Sequence, residues 1–150
     1  MLWTNGPAVV FALIASLTAP PIRAVELAIA LAAEVTSIDP YFVNLQPNNN
    51  IADHIFDKLV TFDAKMQMRP GLAESWRPLD DKTWEFKLRR GVKFHDGSEF
   101  TAEDVVFSLD RPATMTGSPG GFTIFTRPIV EKIAVDPYTV RLRTASVYPN

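Results

Sequence analysis

Between residues 83 and 89 apolar and polar positions alternate without a break, with Trp84, Phe86 and Leu88 set against Thr83, Glu85, Lys87 and Arg89. A period of two predicts a half-buried strand with its large apolar groups inward and its charges outward. The approach Asp80-Asp81-Lys82-Thr83-Trp84 is echoed by Asp136-Pro137-Tyr138-Thr139-Val140, after which Val140 and Leu142 alternate with Arg141 and Arg143. Each reads as a turn held by an Asp side chain and followed by an alternating strand, which predicts two hairpins of similar build. Thr101 with Asp104 three residues on makes a capping-box start for a helix that buries Val105, Val106 and Leu109 and ends before Pro112.

Upstream of that region, residues 26–31 form an apolar run expected to be a strand buried on both faces of a mixed sheet. Asp39-Pro40 closes it, because the residue before a proline is pushed out of helical geometry. Residues 41–47 are expected to be extended. Asn48, Asn49 and Asn50 are placed to cap a helix with the stripe Ile51, Ile55, Phe56 and Leu59, residues 59–62 to form a strand, and Asp63-Ala64-Lys65 a turn. Residues 117–121 carry three glycines and read as a loop, followed by Phe122 and Phe125.

The first residues bear on the compartment. Residues 8–17 are an apolar run too short to cross a bilayer as a helix but of the length of a signal-peptide core, broken by Pro20-Pro21. Ile22-Arg23-Ala24 offers a cleavage site, so residues 1–24 are expected to be an export signal. Their removal takes away one Arg and no acid, leaving 14 basic against 17 acidic side chains, a formal charge of −3. That balance gives no electrostatic case for nucleic acid or for an anionic membrane surface. The absence of cysteine excludes disulfides and a lipid-modified cysteine.

Candidate chemistry is sparse. His54 and His95 are the only histidines and lack a metal-ligand spacing. His95-Asp96-Gly97 reads as a turn in which Gly supplies a positive φ and Asp bonds the backbone, in preference to an acid/base pair. Ser75 and Ser108 lack a glycine-flanked nucleophile elbow. Trp76, Trp84 and Phe94 are assigned to the scaffold, since each buries a large apolar area. No catalytic residue, metal ligand or cofactor site is expected.

The ordered block from Gly71 to Arg111, with Leu72-Ala73-Glu74-Ser75-Trp76, Gly91-Val92-Lys93-Phe94-His95-Asp96-Gly97 and Thr101-Ala102-Glu103-Asp104-Val105-Val106-Phe107-Ser108, resembles the family 5 extracellular solute-binding proteins, the peptide receptors of bacterial ABC importers. The resemblance runs from about Leu27 to the last residue without reaching the family's second lobe. It implies an α/β class II periplasmic-binding-protein-like fold, present as part of lobe one (residues 25–47) with a small α+β accessory domain (residues 48–150). It also implies capture of a small solute, foremost a short peptide, in the periplasm of a two-membrane bacterium, and delivery to an ABC permease in the inner membrane, with no nucleic acid and no membrane insertion of the mature chain. In the family the backbone after the strand-ending Asp-Pro reaches the ligand cleft, which places the contact region on Tyr41, Asn44, Leu45 and Gln46. The loop after Arg111 resembles the family's second contribution, an aromatic lip, and maps to Gly121 and Phe122, where Phe replaces the Tyr of many peptide receptors. Asn44 and Gln46 offer amide donors and acceptors to a peptide backbone. The alternatives are an exported enzyme on this scaffold and a non-transport or inactive truncated relative, such as a chemoreceptor partner. Permease and ATPase genes beside the reading frame would favour transport over both.

Overall fold

A computed structural model of the chain describes residues 27–30 and 33–147. The expected export signal lies outside them. Residues 27–30 carry no regular structure, so the described part of the 26–31 run is not a strand. A strand buried on both faces needs a ladder partner, and the described residues supply none there.

Residues 33–147 build two antiparallel sheets and several short helices. After helix α1 (Gln46–Ile55), strands β1 (Val60–Phe62) and β2 (Met68–Pro70) form a short ribbon. Asp63 shapes its turn by accepting from the backbone N–H of Lys65 and Gln67. Strands β3 (Ala73–Pro78), β4 (Thr83–Leu88), β5 (Ile129–Asp136) and β6 (Thr139–Thr144) form a four-stranded sheet in the order β3-β4-β6-β5. The two expected hairpins are its halves. Asp80 Oδ1 accepts from Lys82 N, and Asp136 Oδ1 from Tyr138 N, each at 2.8 Å. The halves join where β4 pairs with β6, Trp84 opposite Leu142 and Phe86 opposite Val140.

That register places Trp84, Phe86, Leu88, Val140 and Leu142 on one face, as the alternation predicts. Helix α2 (Ala102–Asp110) covers this face, and the core consists of Ala73, Leu88, Phe100, Ala102, Val105, Val140 and Leu142. Burying each of the larger side chains contributes about 1.5–3 kcal/mol. The helix starts as expected: Asp104 Oδ2 accepts from both Thr101 N (2.7 Å) and Thr101 Oγ1 (3.0 Å). It ends at Asp110, and a short 3-10 segment, Arg111–Thr114, carries Pro112.

Three expectations need correction. Glu85, assigned to the charged outer face, is only 3% exposed. It lies on a central strand, where Arg77 Nη2 and Arg141 Nε, from the strands on either side, reach its two oxygens at 2.9 Å and cover it. These bonds, that from Arg77 foremost, hold its carboxyl below the usual range. Phe94 is not core: it is half exposed and meets the buried Phe100 edge-on. Finally, α1 begins at Gln46, before the three asparagines. Pro47 suits the first turn, where its missing N–H is no loss. Asn48 is then buried within the helix, where its Oδ1 accepts from Thr36 N and its Nδ2 donates to Thr36 Oγ1. The expected apolar stripe is cut short: the helix ends at Ile55, so Phe56 and Leu59 lie beyond it, and Ile55 is 47% and Phe56 43% exposed.

Candidate functional site

The segment between Asp39 and α1 is not simply extended. Asp39 Oδ1 accepts from Tyr41 N at 2.9 Å and bends residues 40–42 into a turn. Val43 then forms a parallel bridge with Gly120, and Asn44 N donates to Gly120 O at 3.0 Å. Ser118 Oγ donates to the carbonyl of Phe42. Residues 41–46 and 118–122, more than seventy positions apart in the chain, therefore lie side by side.

Aromatic packing seals the junction. The Tyr41 and Phe122 rings meet edge to face at a centroid distance of 6.2 Å, and Phe125, from the single-turn helix α3 (Thr123–Thr126), leans on Phe122 at 5.9 Å. Gly121 passes close beneath: a Cβ there would lie 2.9 Å from Ser118 Oγ and 3.6 Å from the Tyr41 carbonyl oxygen. Asn44, Leu45 and Gln46 are exposed beside this seam. Asn44 Oδ1 accepts from Asn49 Nδ2, which leaves the Asn44 NH2 to donate. Gln46 Nε2 donates to Asn50 Oδ1, which leaves the Gln46 carbonyl to accept. One donor and one acceptor are the two functions that a peptide group can pair with.

Sequence reasoning used Asp39 and Arg111 only as landmarks. In the structure they face each other, Arg111 Nη1 to Asp39 Oδ1 at 2.8 Å and Nη2 to Oδ2 at 2.5 Å. The guanidinium also lies over the Tyr41 ring, 5.4 Å from its centroid. The bond from Arg111 holds the Asp39 carboxyl below its usual range, and Asp39 in turn raises Arg111. No periodicity or motif signals this pair, because its members are 72 residues apart.

Among the described residues no cluster of metal-ligating side chains assembles around the histidines. Asp96 accepts from Ser98 N (2.9 Å) and Ser98 Oγ (2.6 Å), and Gly97 has φ of 89°, so this stretch is the expected turn. An open concavity of about 580 Å³ lined by Thr123, Ile124, Arg127 and Pro128 borders the lip but includes none of residues 41–46.

Residues 67–150 match the family described as bacterial extracellular solute-binding proteins, family 5 Middle. The chain belongs to the family 5 extracellular solute-binding proteins. Among its relatives, the periplasmic oligopeptide-binding protein OppA of Escherichia coli K12 is 40% identical over 79 residues, 53% of this chain and 14% of OppA. The glutathione-binding protein GsiB of the same strain is 31% identical over 118 residues, 78% of this chain and 23% of GsiB. The solved structure of Burkholderia pseudomallei OppA superposes with a TM-score of 0.73 at 31% identity, covering 79% of this chain and 26% of that protein. This family 5 chain thus has part of a class II periplasmic-binding-protein fold, and spans between 14% and 23% of the length of these two curated relatives. The relatives named here are binding proteins.

Proposed function

We propose that the chain is the amino-terminal part of a periplasmic solute-binding receptor of an ABC importer, and that its solute is a short peptide. The carrying observation is the seam itself. Two segments far apart in sequence meet, and beside them stand the exposed Asn44, with its NH2 left to donate, the exposed Gln46, with its carbonyl left to accept, the apolar side chain of Leu45 and the aromatic lip of Phe122. The relatives' names, oligopeptide- and glutathione-binding, fit a ligand built of peptide groups.

In this reading Asn44 donates to a ligand carbonyl, Gln46 accepts from a ligand N–H, and Leu45, Gly121 and Phe122, with Tyr41 behind it, form the wall against which a side chain rests. Residues 25–47 belong to lobe one, residues 48–150 form the accessory domain, and residues 1–24 direct export. A second lobe closes over the solute in a hinge motion, and the closed form is what the inner-membrane permease accepts. The protein binds and hands over its solute; it is not an enzyme in this reading.

Calorimetry of the complete receptor against defined tri- to pentapeptides tests the proposal. Saturable 1:1 binding, weakened by Asn44→Ala and by Gln46→Ala, is the expected result. No binding of any peptide by a folded receptor would overturn the peptide assignment.

A further inference from the structure

We infer that Arg111 is a positioning residue of this site: gripped fork to fork by Asp39 and lying over Tyr41, it holds residues 41–46 and the 118–122 loop as one wall before a ligand arrives. Its consequence for binding rests on the receptor reading above, whereas the clamp itself is a property of the fold.

Two nitrogens facing two oxygens form the strong, directional kind of ion pair. Asp39 and Arg111 are only 30% and 31% exposed, so solvent screens the pair less than a fully exposed one. The same Asp39 oxygen that meets Nη1 also accepts from Tyr41 N, so one carboxylate both bends the 40–42 turn and grips the clamp. On the other side, Arg111 stands at the end of α2, where the chain turns toward the lip. Thr123 Oγ1 donates back to Pro112 O at 3.1 Å, which ties the far end of the lip to the same point. Remove Arg111, and the segments keep the Val43–Gly120 bridge, the Ser118 bond to Phe42 and the Tyr41–Phe122 edge contact. Each of these involves a loop and none brings in a charge.

None of Asp39, Tyr41, Arg111 or Phe122 belongs to the core beneath α2. Loosening the clamp should therefore mobilise the wall without unfolding the sheet. Lysine cannot replace it, since a point charge offers neither the two parallel bonds nor a flat face for the ring. A wall already ordered spares the ligand the entropy of ordering it, and a wall only partly ordered weakens apparent affinity by the competent fraction.

The test uses the complete receptor and two measurements on Arg111→Met, Arg111→Lys and Asp39→Asn. Amide hydrogen exchange without ligand should rise about tenfold or more, together, in residues 41–44 and 118–122 of Arg111→Met, while β4 and β6 keep their protection. Affinity for tri- to pentapeptides should fall about ten- to a hundredfold in Arg111→Met and about three- to tenfold in Arg111→Lys, with the urea midpoint of unfolding nearly unchanged. Unchanged exchange in the two segments, a rise in one without the other, or affinity insensitive to a wall that has loosened would each overturn the inference. If the unsubstituted receptor binds no peptide, the receptor reading falls, and the exchange result alone upholds or overturns the clamp.

Discussion

Alanine at Gly71 separates close backbone packing from positive φ as the reason for a glycine. Its Cβ would fall well inside van der Waals contact of the Lys58 carbonyl oxygen and 3.1 Å from that of Leu59. Both obstacles are main chain, so no rotamer change relieves them. Residues 58–59 must move away from 71–73, and three backbone bonds span that gap: Gly71 N to Leu59 O (3.1 Å), Leu72 N to Lys58 O (2.8 Å) and Ala73 N to Leu59 O (3.0 Å). At about 0.5–1.5 kcal/mol net for each bond, losing two costs about 1–3 kcal/mol. Ala73 is fully buried in the core, so displacing it brings the expected total to about 2–4 kcal/mol. Gly97→Ala is the control. Its φ is 89° and its Cβ would meet no atom within 4 Å, so only conformational strain of about 1–2 kcal/mol applies. Urea denaturation followed by tryptophan fluorescence reads both, with Trp76 and Trp84 reporting from the sheet. A Gly71→Ala shift below about 0.5 kcal/mol, or smaller than that of Gly97→Ala, would refute the close-packing argument.

Met66 has φ of 59° in an exposed hairpin turn, so Met66→Gly should stabilise the protein by about 1 kcal/mol, seen as a raised Tm. In the complete receptor Asn44→Ala and Gln46→Ala should each weaken peptide binding by about 0.5–3 kcal/mol in calorimetry, with folding intact. Residues 25–150 alone should show no receptor-like affinity in the same assay, because a half-site has fewer contacts to offset lost translational freedom. Because Arg111 depresses the Asp39 pKa in the folded state, the pair's stabilisation is fully present above the ordinary carboxylate value near 3.8 and is lost as pH falls through the lower folded value. Protection of the amides in residues 41–44, taken relative to their intrinsic exchange rates, should accordingly fall as the pH drops below that ordinary value, and Asp39→Asn should be weakly protected at every pH and lack that acid step.

The local elements of the accessory domain were legible in the chain itself. Period-two alternation, Asp-held turns and the Thr101–Asp104 cap act between residues that are near neighbours in sequence, so β4, β6, both hairpins and α2 follow from short-range chemistry. The ordered block from Gly71 to Arg111 carried the family. Tertiary structure decided the rest. Whether Glu85 is a surface charge depends on arginines that β3 and β6 bring to either side of it, and strand alternation carries no information about neighbours across a sheet. Asn48 could cap a helix or be buried inside one, and the choice fell to Thr36, a partner twelve residues away. The candidate site shows the division most sharply: the amide side chains were recognisable as donors and acceptors, but which function each has left over follows from Asn49 and Asn50. The wall they stand on is joined by contacts between residues more than seventy positions apart, Arg111 to Asp39 and Ser118 to Phe42 among them, which loop closure and packing select and no local pattern encodes.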